Sequence, residues 1–166
     1  SSAASDVYKR QQLYDVLDVV GRRFQEVFSQ LFGGGTAQIV LTDPDNILTG
    51  GIDFYIQPPG KKRQQLTLLS GGERALTVIA LLFSFLDYRP APFCVLDEVD
   101  AALDEANVER FSSYLNRVNK ETQFIVVSHR KKTMEAAEVL QGVTMVERGV
   151  SRLLTVAFED VKEDLA

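Results

Sequence analysis

Two adjacent carboxylates stand directly after a short apolar run in this 166-residue sequence. Residues Phe93 to Leu96 are all apolar, and Asp97 and Glu98 follow them. Such a run predicts a buried strand that delivers both acids at its carboxyl end. There, one acid could bind Mg²⁺ and the other could activate a water molecule, which is the arrangement that phosphoryl transfer needs. The plainer alternative is that two solvated acids end a strand.

A second group of residues, Ser70, Gly71, Gly72 and Glu73, stands where a helix is predicted to begin. The two glycines let the backbone approach a ligand closely, and the free N–H groups of a first helical turn attract an anion such as phosphate. The same four residues also make an ordinary turn and helix cap, and taken alone they favour that interpretation.

His129 follows a second apolar run at 124–127 and is the only histidine of the chain. A single imidazole at a strand end can hydrogen-bond a phosphate or orient a water, although a lone histidine is more often structural. With one histidine and one cysteine, Cys94, the chain can form neither a His-rich metal site nor an internal disulfide. A reduced, cytosolic setting is therefore the default.

The elements that must position these side chains alternate between strand and helix. The sequence predicts helices over 71–86, 107–118 and 133–140 and strands over 93–96, 124–127, 143–146 and 152–157. Such alternation predicts a mainly parallel sheet covered on both faces. Earlier runs at 37–41 and 52–57 predict a small antiparallel sheet that serves as scaffold.

The first part of the chain has a helical pattern over 6–32, after a low-information segment, 1–5, that we interpret as a cloning scar or linker. Two rows of seven-residue spacing form an apolar seam, made of Val7, Tyr14, Gly21 and Phe28 and of Leu17, Phe24 and Leu31. The pattern alone leaves open whether this helix lies on the domain's own core or is a stub of a coiled coil. Residues 159–166 read as an acidic tail.

Composition excludes several classes of protein. The chain is 45% hydrophobic and 25% charged, with a net charge of −5. These values are ordinary for a globular domain and argue against disorder or a disulfide scaffold, and no apolar run approaches the ~20 residues of a membrane helix. The negative charge argues against nucleic-acid binding by bulk charge, although local basic patches at 61–63 and 130–132 remain available.

In their order along the chain, these motifs resemble the ATPase heads of the structural maintenance of chromosomes (SMC) proteins. Residues 69–73 are similar to the signature motif of ABC-type ATPases, and 93–98 to a Walker B strand with its glutamate. Residues 102–104 match the D-loop, and 128–129 match the switch histidine. The string 94–108 resembles the bacterial branch in particular.

The resemblance implies the C-terminal lobe of an ABC-type P-loop ATPase head for 33–158, with a coiled-coil stub at 6–32. Such a site also needs a Walker A loop, Gly-x-x-x-x-Gly-Lys-Ser/Thr, and the sequence contains none. In SMC proteins that loop lies in the N-terminal half of the head. We therefore expect this chain to be a C-terminal half that is inactive by itself.

The resemblance also implies a role for each site residue, with ATP and Mg²⁺ as cofactors. Asp97 would bind the Mg²⁺, Glu98 would activate the attacking water, and His129 would contact the γ-phosphate. The signature residues, Ser70 to Glu73, would serve the nucleotide of a second head, and Asp104 of the D-loop would bridge the two heads.

Further implied partners are the N-terminal half of the head, a second SMC head, and the C-terminal winged-helix domain of a kleisin subunit near 143–158. DNA would bind through the assembled complex, in chromosome condensation and segregation, at a cytoplasmic, nucleoid-associated location. No membrane partner is expected. A double-strand-break repair ATPase of the same superfamily, an ABC transporter domain and a non-enzymatic kleisin-docking fragment are the alternatives.

Overall fold

The computed structural model describes residues 2–118 and 122–157, so the predicted acidic tail at 159–166 lies outside the described residues, as does Ser1. Four α-helices and seven strands follow one another in the described part of the chain: α1 (Ser2–Phe32), β1 (Thr36–Leu41), β2 (Ile52–Gln57), β3 (Gln64–Gln65), α2 (Gly71–Tyr88), β4 (Phe93–Asp97), α3 (Glu105–Val118), β5 (Gln123–Val127), α4 (Lys131–Glu135), β6 (Val139–Glu147) and β7 (Val150–Ala157). In that part, no helix combines the length and apolarity needed to cross a membrane.

The second half of α1 is part of the hydrophobic core. Phe24 is fully buried, and its ring lies 6.4 Å from that of Phe28 and 6.1 Å from that of Phe54. Near the start of the same helix, Val7 is 68% exposed. A coiled-coil stub over all of 6–32 is therefore not supported. The heptad pattern did not separate the two parts because core packing and coiled-coil packing use the same helical spacing.

Strands β1, β2 and β3 form the antiparallel sheet that the sequence predicts, in that order. The Gln25 side chain joins it to α1, since its amide accepts from the Ala37 N–H at 2.8 Å and donates to the Gly35 carbonyl at 3.2 Å. Gly35 adopts a φ of 85°, and a Cβ there would lie 2.3 Å from the Gln57 carbonyl oxygen. Only glycine fits this crossing from helix to sheet.

The one parallel pairing among the described residues joins β4 to β5, with Asp97 opposite Val127. The inner face of this pair packs on α2 and α3, where the Phe83 ring lies 5.7 Å from that of Phe124 and 5.0 Å from that of Tyr114. A mainly parallel sheet is not confirmed, because the other two sheets are antiparallel. Alternation of strand and helix predicts parallel pairing only where consecutive strands are neighbours in one sheet.

The last elements differ most from the sequence-based expectation. The helix predicted over 133–140 is only the short α4, and Val139 and Leu140 already belong to β6. Leu140 stands seven residues after Thr133, a spacing that fits a helix, but pairing with β7, in which Val139 lies opposite Ala157, places Val139 and Leu140 in a hairpin. That long-range pairing is invisible to local periodicity.

Candidate functional site

The two predicted acids lie at the carboxyl edge of the β4–β5 pair. The Glu98 N–H donates to the Val127 carbonyl at 2.9 Å, which extends the pairing one residue beyond Asp97. Both acid side chains are exposed, and neither forms a hydrogen bond or ion pair with another residue in the described part of the chain. Glu98 has a φ of 48°, a conformation uncommon for a residue other than glycine, and it turns the chain sharply after the strand.

His129 lies at the same edge, because it stands two residues after the end of β5 and Glu98 stands directly after the end of the neighbouring strand β4. The Arg130 N–H donates to the Ser128 Oγ at 2.9 Å and closes a tight turn with His129 at its centre. The His129 side chain is exposed. The predicted grouping of Asp97, Glu98 and His129 is therefore what the strand pairing produces, as expected for neighbouring parallel strands.

These residues fit a magnesium ion that is shared with a nucleotide. Mg²⁺ is commonly held by one or two carboxylates, with phosphate oxygens and water completing its shell. Asp97 offers an unpaired hard oxygen ligand at the strand end. The described ranges contain no group of three or more His, Cys, Asp or Glu residues arranged to hold a metal by themselves. These ligands therefore suit a Mg²⁺ ion whose remaining ligands are the phosphate oxygens of a nucleotide and water.

The signature residues form a complete capping box at the start of α2. The Ser70 Oγ accepts from the Glu73 N–H at 3.4 Å, while the Glu73 carboxylate accepts from the Ser70 N–H at 3.2 Å and from its hydroxyl at 2.8 Å. Lys61 Nζ lies 2.7 Å from the other Glu73 oxygen. Burial alone would raise the pKa of Glu73, but hydrogen bonds from Lys61 and Ser70 bring this pKa below its usual value.

The signature turn lies directly against the D-loop. A Cβ on Gly72 would lie 3.3 Å from the Ala102 carbonyl oxygen and 3.9 Å from the Asp104 nitrogen, so only a residue without a side chain allows this close contact without a shift. Asp104 itself caps α3, since its carboxylate accepts from the Asn107 N–H at 2.8 Å. A cleft of about 350 Å³ opens between the two segments, and its lining includes Ser70, Glu73, Asp104, Asn107 and Lys61.

The predicted site residues thus form two groups. Asp97, Glu98 and His129 share one sheet edge, and Ser70 and Glu73 share a cleft with Asp104. Sequence reasoning missed Lys61, whose pairing with Glu73 crosses between a loop and a helix and has no local signal. It also gave no role to Asp100, although a charged residue between Val99 and Ala101 is a visible candidate for burial.

Replacing Glu73 by Gln should lower the free energy of unfolding by about 1 kcal/mol at pH 7, because the charge-assisted bonds to Lys61 and Ser70 are lost. The Glu73 pKa is lowered from 4.5 in the folded chain. Its stabilisation is therefore complete above about pH 4.5 and disappears as the pH falls through the lowered pKa. Urea unfolding between pH 7 and pH 3 measures this.

Glu109→Gln is the matched control, since Glu109 is exposed on α3 and forms no ion pair with a described residue. It should change the stability by less than about 0.5 kcal/mol at every pH. A Glu73→Gln effect that stays constant across the pH range would contradict the assignment of the pKa shift to this capping box.

Comparison with known proteins shows the family to which the chain belongs. Residues 7–152 match the family model described as the RecF/RecN/SMC N terminal domain. The chain is 60% identical over 149 residues to the chromosome partition protein Smc of Bacillus subtilis (strain 168), a match that covers 90% of this chain and 13% of that protein. The chain therefore corresponds to a small part of its curated relatives.

Two solved structures share its fold. A structure from work on ATP-driven dimerization and DNA-stimulated activation of SMC ATPases has a TM-score of 0.83 and 35% identity, with 94% of each chain covered. An Smc head domain with an extended coiled coil, bound to the C-terminal domain of ScpA and derived from Pyrococcus furiosus, has a TM-score of 0.84 and 35% identity. That match covers 95% of this chain and 39% of the other. On this evidence the chain belongs to the bacterial Smc chromosome partition family, a branch of the SMC ATPases.

Proposed function

We propose that this chain is the C-terminal half of an Smc ATPase head, which hydrolyses ATP only with the N-terminal half and a second head. In this proposal Asp97 holds the Mg²⁺ of an ATP bound by the N-terminal half, Glu98 activates the attacking water, and His129 contacts the γ-phosphate. Head engagement and hydrolysis then serve chromosome condensation and segregation.

The observation that carries the proposal is the uncovered face of the β4–β5 pair. Phe93, Val95, Ile125 and Val127 all lie on that face and are between 47% and 58% exposed. Parallel strands are normally covered on both faces, and a two-stranded sheet is hardly stable alone. The apolar face, which ends at the two unpaired acids, is what a missing half of the same domain would cover.

The sequence also supports the assignment of the phosphate-binding loop to another part of the head. A site for Mg-ATP needs a loop whose backbone N–H groups and lysine hold the β- and γ-phosphates. Gly33, Gly34 and Gly35 are followed by no lysine, and Gly60 and Lys61 are followed by Lys62 instead of a hydroxyl residue. In the structure Lys61 is paired with Glu73. We therefore assign the phosphate loop to the N-terminal half.

The chemistry follows from the exposed side chains at the sheet edge. When Mg²⁺ is bound, it neutralises charge on the phosphates and orients the leaving group. Asp97 supplies an oxygen ligand for it, and Glu98 removes a proton from the attacking water as general base. His129 donates a hydrogen bond toward the phosphate, at an edge that a covering half would shield from bulk water.

The signature group acts on the nucleotide of the second head. Within the described residues, nothing accepts a hydrogen bond from the N–H groups of Gly71 and Gly72, which lie in the first turn of α2. These groups and the helix dipole favour an anion there, and the Ser70 hydroxyl adds a donor. With Asp104 at the same cleft, this surface is suited to face a partner's γ-phosphate.

We expect the chain alone to bind no Mg-ATP at micromolar concentration and to show no turnover, and ATP hydrolysis to appear when the N-terminal half of the same head is added. Val95→Lys should abolish this complementation, because it places a charge on the face of the β4–β5 pair that the N-terminal half would cover. Val150→Lys is the matched control, since Val150 is 58% exposed against 56% for Val95 but lies on another sheet. Calorimetry and a phosphate-release assay measure the two quantities.

Tight Mg-ATP binding by the isolated, folded chain would contradict the half-head assignment. If the chain binds the ScpA C-terminal domain but never supports ATP turnover, the alternative of a non-enzymatic kleisin-docking fragment would replace the half-head assignment. The strong identity to Smc makes a repair ATPase of the same superfamily the weaker alternative.

Two substitutions in the assembled head separate the two groups of residues. Glu98→Gln keeps the size of the side chain but cannot take a proton, so ATP should still bind and the engaged dimer should persist without hydrolysis. Ser70→Arg should leave ATP binding intact and prevent engagement, because the bulky cation fills the space for the partner's phosphate. Size-exclusion chromatography with ATP measures the dimer, and a nucleotide-binding assay measures the first step.

A mixture of the two variants provides the sharpest comparison. A mixed dimer can complete one site, in which Ser70 of the Glu98→Gln head serves the nucleotide held by the Ser70→Arg head. Asp97→Ala is the contrasting variant, because loss of a metal ligand should weaken Mg-ATP binding itself. Loss of nucleotide binding in a monomeric Ser70→Arg head would refute the assignment of Ser70 to the partner's site.

We also propose that the β6–β7 hairpin, within 143–158, receives the kleisin, a ScpA-type subunit. Phe158 lies outside the described residues. No side chain from 139 to 156 is buried, and Val143, Met145 and Leu153, which the register places on one face of the hairpin, are all more than half exposed. An exposed apolar area of this kind favours a protein partner, and a neighbouring Smc head has been solved with the ScpA C-terminal domain bound. DNA would then be bound by the assembled complex, at a cytoplasmic, nucleoid-associated location.

Leu153→Lys should weaken binding of the ScpA C-terminal domain at least tenfold, since a leucine that the proposed interface buries would be replaced by a charge. Leu48→Lys is the control, because Leu48 is also exposed but lies outside the hairpin. Isothermal titration calorimetry with both variants tests the surface. Equal affinity for the two variants would place the kleisin elsewhere.

A further inference from the structure

A buried carboxylate connects the two groups of site residues. Asp100 is fully buried, and its Oδ2 accepts hydrogen bonds from the Ser128 hydroxyl at 2.6 Å and from the Thr133 hydroxyl. Its Oδ1 is also buried and has no hydrogen-bond partner. Burying a carboxylate is costly unless hydrogen bonds offset the loss of water, so a residue with only one satisfied oxygen needs a specific reason to be there.

The Ser128 hydroxyl that Asp100 holds is also the atom that closes the turn around His129. Ser128 Oγ accepts from the Arg130 N–H while it donates to Asp100. The hydroxyl hydrogen can point to only one acceptor, and Asp100 fixes that direction. The backbone on both sides of His129 is therefore fixed by one hydroxyl whose own orientation depends on the buried carboxylate.

The same turn is bound at its other end to the D-loop. The Arg130 guanidinium donates to the carbonyl of Leu103, the residue immediately before Asp104. The Leu103 N–H in turn donates to the Asp100 carbonyl at 3.1 Å. Asp100 therefore binds the His129 turn with its side chain and the D-loop with its backbone, and the D-loop contacts Gly72 of the signature turn.

We propose that Asp100 is a positioning residue that fixes His129 relative to the D-loop. It would keep a constant distance between His129, the donor to the γ-phosphate, and Asp104, which contacts the second head. This inference rests on the proposed function. Asp100 touches neither substrate nor metal in this assignment; it acts through Ser128. Small misplacements of a reacting group are costly for turnover, which gives the buried carboxylate a physical reason to be there.

The single histidine makes the positioning directly measurable. In NMR spectra of the 166-residue chain, the ring C–H signals of His129 are the only ones from a histidine. Ser128→Ala and Asp100→Asn should shift and broaden these signals, because the turn loses its fixed hydroxyl or the acceptor that fixes it. Ser128→Thr, which keeps the hydroxyl, should restore them. Ser112→Ala is the matched control, since Ser112 is a buried hydroxyl on α3 without a hydrogen-bond partner.

Kinetics of the assembled head supply the second measurement. Ser128→Ala should lower kcat by about tenfold or more with KM within about twofold of the wild type, because the nucleotide still binds and only the catalytic geometry is disturbed. Ser112→Ala and Ser128→Thr should leave kcat near the wild-type value. Thermal unfolding by circular dichroism confirms that each variant is folded, and if Asp100→Asn unfolds, Ser128→Ala alone decides.

Unchanged His129 signals in both Ser128→Ala and Asp100→Asn would overturn the inference, and so would shifted signals with an unchanged kcat. The two proposals fail separately. If the assembled wild-type head shows no ATP turnover, the proposed function fails, and the NMR comparison still decides whether Asp100 positions His129.

Discussion

The parallel pairing of β4 with β5 is the constraint on which the candidate chemistry depends. It places Asp97 opposite Val127, and the bond from the Glu98 N–H to the Val127 carbonyl extends the ladder one residue further. The segments that follow β4 and β5 then leave the sheet at the same edge. The first carries Glu98, next to Asp97 at the end of β4, and the second carries His129. A slip of one residue in this register would turn every side chain of a strand to the opposite face.

That pairing is held from one side only. Phe83 of α2 contacts Phe124 of β5 and the rings of α3, so the inner face of the strand pair is well packed. The outer face, with Val95 and Ile125, has no cover among the described residues. The hydrophobic effect therefore stabilises the inner face of the strand pair against the helices and favours association of the outer face with another apolar surface.

How much of this could be predicted depends on whether the signal was local. The β1–β2 hairpin, the start of α2 at Ser70 and the strand carrying Asp97 follow from periodicity and capping residues, and each was predicted within a few residues. Helix α1 was harder, because Phe28 and Val7 occupy equivalent heptad positions and only tertiary packing makes one buried and the other exposed. The hydrogen-bond partners of the buried Asp100 could not be predicted, since the Ser128 and Thr133 hydroxyls lie 28 and 33 residues away in the sequence.

The capping box explains how the signature turn can serve two purposes. The Ser70 hydroxyl donates to Glu73 in this structure, so in the proposed dimer it must exchange that acceptor for a phosphate oxygen. The exchange is inexpensive because Glu73 keeps the Lys61 ion pair and the Ser70 N–H, and its charge stays compensated. A carboxylate held only by the serine would be left partly unsatisfied in the cleft and would repel the incoming phosphate. Lys61 thus makes a helix cap that stabilises the fold compatible with the proposed anion site on the same four residues.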